Sequence, residues 1–124
     1  MNFKKYIYEN EESPLSTVLY HKDIPCITRF FSNDFPVYHA IHKVNDASNL
    51  ETYTEKHVHD VDEINIIISE DENFKFRIEI DDEEHIVGPH TSVFIPAGKM
   101  HSANVICGSG YYIAIRMNDA IKDK

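Results

Sequence analysis

Hydrophobic and polar side chains alternate along most of this chain with a period near two, not the 3.6 of a helix. The clearest run is FKFRIEI at 74–80, which puts Phe74, Phe76, Ile78 and Ile80 on one face and Lys75, Arg77 and Glu79 on the other. Successive strand side chains point to opposite sides of a sheet, so this run predicts a half-buried antiparallel strand. Similar runs predict strands at 15–21, 26–31, 36–44, 52–59, 62–69, 84–87, 92–96, 101–106 and 110–117, separated by Pro, Gly, Asn or Asp turn signals. Regular short strands of this kind predict an all-β barrel or jelly roll. A helix is expected nowhere except in the last few residues after Met117, and no repeat or low-complexity tract is present.

Alternation also assigns faces. In DEINIIIS at 62–69, an inward Glu63 carries Asn65 and Ile67 with it and turns Ile64, Ile66 and Ile68 outward. Burying an isoleucine is worth roughly 1.5–3 kcal/mol, so this outer face is expected to be covered by the N-terminal strands or by a second subunit. A homodimer through this sheet is the expectation. In the late strand, one parity offers Tyr112 and Arg116 and the other offers Tyr111, Ile113, Ile115 and Met117. The apolar set is expected inside, which leaves Arg116 outside.

The chemistry concentrates in two short segments. HVHDVDE at 57–63 and PAGKMH at 96–101 supply His57, His59, Glu63 and His101. On an extended segment residues 57, 59 and 63 share a face, whereas on a helix residues two apart point about 200° from each other. Three imidazoles and one carboxylate suit a divalent first-row metal and leave positions free for water or substrate. His101 must come from another strand facing the same interior, which implies a closed or sandwiched sheet.

These residues carry a resemblance. HVHDVDE matches the H-x-H-x3-E core of the first cupin motif, and PAGKMH matches the P-x-G-x2-H core of the second. The likeness covers roughly residues 50 to 117. It implies a single cupin-type jelly-roll domain over 1–124, with its core at roughly 36–117 and N-terminal strands within 3–31 packed on the barrel. Carried over position by position, it implies metal ligands at His57, His59, Glu63 and His101, holding one divalent transition-metal ion (Fe, Mn, Ni or Zn). The pattern departs at turn positions. Glu51 and Glu70 stand where cupins have glycine, Gly88 is two residues too far from Pro96, and Asn104 follows His101 one residue early.

Around this set, His101, Ala103 and Val105 are expected to face inward and Asn104 outward. Asn65 is the residue best placed to support Glu63 from behind, and Lys99 is a candidate to attract a carboxylate at the pocket mouth. His39 and His42 fall on opposite strand faces, so they cannot share an ion. Together with His21, His85 and His90 they read as surface or structural histidines.

Composition narrows the partners. The chain has 124 residues and a net charge of −9, with no basic run, so neither nucleic acid nor an anionic membrane is expected. The acidic clusters at 9–12, 70–72 and 81–84 read as solvated turns. MNFKKYIYENEES has no apolar stretch of signal-peptide length, and Cys26 and Cys107 are isolated, which together predict a cytoplasmic protein with reduced thiols. The cupin resemblance implies a metal-dependent enzyme acting on a polar small molecule, with dioxygenase-type chemistry placed first. A redox-neutral isomerase or lyase and a non-catalytic binding or sensing protein are the alternatives.

Overall fold

The computed structural model describes residues 3–48 and 50–117. Eight strands make up almost all of its regular structure: β1 (Glu11–Glu12), β2 (Ile27–Phe31), β3 (His39–Ala47), β4 (Glu63–Ile68), β5 (Lys75–Ile80), β6 (Glu83–Val87), β7 (Thr91–Ile95) and β8 (His101–Arg116). Among the described residues there is no α-helix, and no helix is long and apolar enough to cross a membrane. The chain has the cupin-type all-β architecture expected of it.

The strands run antiparallel in the order β1-β2-β3-β8-β4-β7, and β5 joins β8 to β6. The sixteen-residue β8 connects the two layers. Its first half pairs with β5, Ile80 opposite His101 and Phe76 opposite Val105, while its second half lies between β3 and β4. It turns from one layer to the other at Gly108 and Gly110. Gly108 has φ +93, and a Cβ there would lie 2.6 Å from the Phe74 Cα; a Cβ on Gly110 would lie 2.6 Å from the Ser69 Cβ. Only glycine tolerates both that backbone and that proximity. The core gathers beneath this bend, around Phe74, Phe76, Ile78, Ile67, Val105 and Tyr112.

The bend reverses the expected parity of the late strand. Ahead of it Ala103 and Val105 face the interior, but beyond it Tyr112 and Arg116 are buried while Tyr111 and Met117 are exposed. Arg116 is therefore an inward residue, contrary to the expectation from apolarity. The physical reason lies in the neighbours: Ile113 and Ile115 pair with Ile66 and Ile64 on an apolar outer face, and the polar groups are kept inside.

Two predicted strands are not regular strands. Residues 15–21 begin with a 3-10 turn at Leu15–Thr17 and pair with the segment around Thr54 through an isolated bridge from His21. Residues 52–59 touch their neighbours through isolated bridges at Thr54 and His57. In place of a ladder, Asn104 holds this stretch. Its Oδ1 accepts from the Tyr53 and Thr54 N–H groups, both at 3.0 Å, and its Nδ2 donates to the Thr54 carbonyl at 3.1 Å. Asn104 does face away from the cavity, yet it is fully enclosed by the segment it secures. The helix considered after Met117 lies outside the described residues.

Candidate metal centre

His57 and His101 are set side by side by a two-bond antiparallel bridge: the His57 N–H donates to the His101 carbonyl at 2.9 Å and the His101 N–H to the His57 carbonyl at 2.8 Å. Each imidazole is then oriented by the backbone carbonyl two residues before it. Nδ1 of His57 bonds the Glu55 carbonyl at 2.8 Å, and Nδ1 of His101 bonds the Lys99 carbonyl at 2.9 Å. A carbonyl only accepts, so both Nδ1 atoms carry the proton and both Nε2 atoms keep a lone pair. His59 follows on the same face, with the intervening Val58 exposed. Ligand atoms of His57, His59 and His101 all lie within 4.8 Å of one another.

Glu63 enters from the start of β4. Its Oε1 lies 3.4 Å from His59 Nε2, 3.5 Å from His101 Nε2 and 3.8 Å from Arg116 Nε, while Oε2 accepts a hydrogen bond from Asn65 Nδ2 at 2.9 Å. Asn65 therefore fixes the rotation of the carboxylate and turns one oxygen toward the imidazoles. Burial works against the charge of Glu63, but His101, Asn65 and His59 together hold it below the usual carboxylate range. Burial lowers His57, and with the Arg116 guanidinium it lowers His59. For His101 burial is again the largest single effect, but the Glu63 carboxylate and the Lys99 carbonyl together outweigh it and raise the pKa.

The residues fit a metal ion. Nε2 of His59 and Nε2 of His101 are buried without a hydrogen-bond partner, a costly condition for polar atoms unless something else takes up their lone pairs. Imidazoles whose other nitrogen is fixed by a carbonyl are the usual form of a protein metal ligand. The three imidazoles, with the Glu63 carboxylate beside them, suit Fe(II), Mn(II), Ni(II) or Zn(II) without choosing among them. Lys99 does not join the group: its Nζ pairs with Asp81 Oδ2 at 3.2 Å in an exposed position, and it does not line the cavity.

Next to the imidazoles is an inner cavity of about 40 Å³. Its walls include residues that the sequence reading did not assign to a site, namely His21, Arg29, Tyr38, His42 and Arg116. The strand register explains their arrival. Tyr38, Arg116, Glu63 and Ile95 lie across one row of the inner face, and Arg29, His42, Tyr112 and Ile67 across another. His21 comes from the N-terminal segment, where the Lys22 and Glu55 N–H groups bond across to the Tyr53 and Tyr20 carbonyls and seat its ring 5.6 Å from that of His57. Tyr20, at φ +67, stacks on the His57 ring at 5.7 Å. His21 lies at the cavity wall, His42 is a buried histidine packed on Tyr112, and His85 and His90 are exposed. A signal was present for two of these residues, since Arg29 and His42 each interrupt an apolar strand. None was present for His21, whose approach to His57 depends on tertiary pairing.

Solved structures of similar shape support the fold. The chain is similar to an RmlC-like cupin from Shewanella frigidimarina, with a TM-score of 0.55, 14% identity, and 88% of this chain and 94% of that one covered. It is similar to KdgF from Halomonas sp., with a TM-score of 0.55, 19% identity, and 77% and 84% covered. It also resembles HppE in its Fe(II) form, with a TM-score of 0.52, 13% identity, and 73% and 48% covered. No protein-family model matches the chain, and no curated protein matches it by sequence.

Proposed function

We propose that this cupin-fold chain is a metal-dependent enzyme acting on a polar small molecule in its inner cavity. The observation that carries the reading is the pair of buried, unpartnered Nε2 atoms on His59 and His101, set beside His57 and Glu63. A divalent ion held there would supply Lewis-acid polarisation of a bound oxygen. Iron(II), named for the HppE neighbour, is one of the ions this donor set suits.

Dioxygenase-type chemistry rests on open coordination positions alone. The redox-neutral isomerase or lyase reading gains a specific group, because such chemistry requires a proton acceptor beside the ligand set and His21 stands there. Its Nδ1 is taken by the Leu19 carbonyl at 2.8 Å, which leaves Nε2 to receive a proton. Tyr20 and Val18, on the same segment, help to exclude water from that wall. The redox-neutral reading is therefore placed first.

The test is proton exchange. Protein loaded with Zn(II), Mn(II) or Fe(II) is incubated in D2O with small hydroxy- and oxo-carbonyl compounds and followed by proton NMR, beside an oxygen electrode. Loss of a C–H signal that requires both the ion and His21, without oxygen uptake, is the expected result. Oxygen uptake matching product would restore the oxidative reading, and saturable binding without exchange would mark a binding protein.

Two further assignments belong to this reading. The outer face of β7, β4 and β8 carries Phe94, Ile64 and Ile115 in one row and Ile66 and Ile113 in the next, with Phe94 57% exposed. β1 and β2 extend the sheet beyond β3 and do not lie over this face, which leaves a second copy of the chain as the proposed cover. The proposed compartment is the cytoplasm, in keeping with the free thiols of Cys26 and Cys107.

A further inference from the structure

Arg29 is the most anomalous charged group in the chain. It sits on β2 with only 4% of its surface exposed, and every partner it has among the described residues is neutral. Nη1 donates to Ser13 Oγ at 3.0 Å and to Thr17 Oγ1 at 3.5 Å, Nη2 donates to the Tyr38 hydroxyl at 3.4 Å, and the guanidinium lies 4.4 Å from the Phe31 ring centre. Nε is buried with no partner. Among the described residues, no carboxylate oxygen comes within ion-pair distance of it. Glu9, Glu11, Glu12 and Asp34 line the outer cleft that Arg29 also borders, yet none of them pairs with it.

A buried guanidinium without an anion costs several kcal/mol, and its charge is permanent. Of its five donors, three are used, leaving Nε–H and one Nη2–H. They belong to Nε and Nη2, the pair of nitrogens that takes a carboxylate side-on. Arg29 lines the same cavity as His57, Glu63 and His101. The cavity's fixed charges are Arg29 and Arg116 against Glu63, and its histidines can add only positive charge, so the cavity is at least singly positive inside a chain of net charge −9. A divalent ion would increase that excess. Its volume of about 40 Å³ is room for roughly three or four non-hydrogen atoms, at ~10–15 Å³ for each water-sized occupant.

We propose that Arg29 is the anion subsite of this cavity and that the ligand is a small carboxylate held between its Nε/Nη2 edge and the imidazole cluster. The inference rests on the function proposed above and names the substrate class of the same cavity. Ser13, Thr17 and Tyr38 are positioning residues that hold the guanidinium so that its free edge stays available.

The experiment is a binding titration with two isosteric probes of four non-hydrogen atoms each, acetate and its neutral amide, acetamide, on chelator-treated and Zn(II)-loaded protein. Wild type, Arg29→Gln and Arg29→Lys are compared, and Zn(II) affinity is measured on the same samples. Acetate is expected to bind wild type even without the ion and to lose on the order of thirtyfold or more in Arg29→Gln, as for a buried charge pair stripped of one partner. Acetamide is expected to bind weakly and without dependence on Arg29, and Zn(II) affinity is expected to stay within a fewfold. Arg29→Lys keeps the charge but lacks the two-donor edge; it should bind acetate at an intermediate level, which provides a reading if the glutamine variant fails to fold. Equal acetate affinity in wild type and both variants, or acetamide binding as tightly as acetate, would overturn the assignment. Loss of Zn(II) binding alone would count against the metal reading and leave the Arg29 test intact, because that arm is read on ion-free protein.

Discussion

His42 makes acid sensitivity a quantitative test of the interior. Its ring is buried against Tyr112, and burial, with Arg29 and His21 adding to it, lowers its pKa from 6.5 to about 3. In the unfolded chain the same imidazole takes up a proton below about 6.5. Between those two values the unfolded state binds more protons than the folded state, so stability falls as pH drops. From pH 7 to pH 5 the difference is about 2 kcal/mol for this residue, at 1.36 kcal/mol per pH unit over roughly the 1.5 units below 6.5. The assay is urea unfolding of chelator-treated wild type and His42→Phe at both pH values. Each protein is compared with itself, so any packing cost of the phenylalanine cancels. Wild type is expected to lose about 2 kcal/mol more than the variant. Identical losses in the two proteins would refute a neutral, buried His42 and with it the placement of β3 against the cavity.

Four further variants test the site and its supports. His101→Ala is expected to weaken binding of Zn(II) or Mn(II) by more than about 100-fold, and Asn65→Ala by about 10- to 100-fold through a loosened Glu63, as read by competition titration and elemental analysis of tag-free protein; retention of a full equivalent by His101→Ala would contradict the ligand assignment. Asn104→Ala strands two N–H groups and a carbonyl at 53–54, all of them buried, and should cost about 3 kcal/mol or more in urea unfolding while also weakening metal binding through His57. Ile66→Glu on the outer face should convert a dimeric mass to a monomeric one by light scattering at micromolar concentration with the β-rich circular dichroism kept, and a wild type that is already monomeric there would remove the dimer.

How much of the site could be read in advance depended on how local each interaction is. The H-x-H spacing at 57–59 could be read from alternation alone, even though the segment proved to be held by isolated bridges and Asn104 instead of a regular ladder. Asn65 could be placed behind Glu63 because the two lie on one strand two residues apart, within reach of a direct hydrogen bond. Nearness to His101 in sequence points Lys99 toward the pocket, but its side chain is drawn off to Asp81. The tendency of apolar residues to face in predicts an outward Arg116; here the glycine bend of β8 and the isoleucine-rich outer sheet reverse that rule.

The sequence by itself determined the period of two, the turn positions and the set of imidazole and carboxylate side chains, because strand alternation and side-chain chemistry are properties of neighbouring residues. Only the tertiary structure decided which face of β8 meets the cavity, brought His21 against His57 and enclosed Arg29 with no counter-charge among the described residues. Those outcomes depend on a change of strand phase at Gly108 and on pairings between segments tens of residues apart, which no local pattern records.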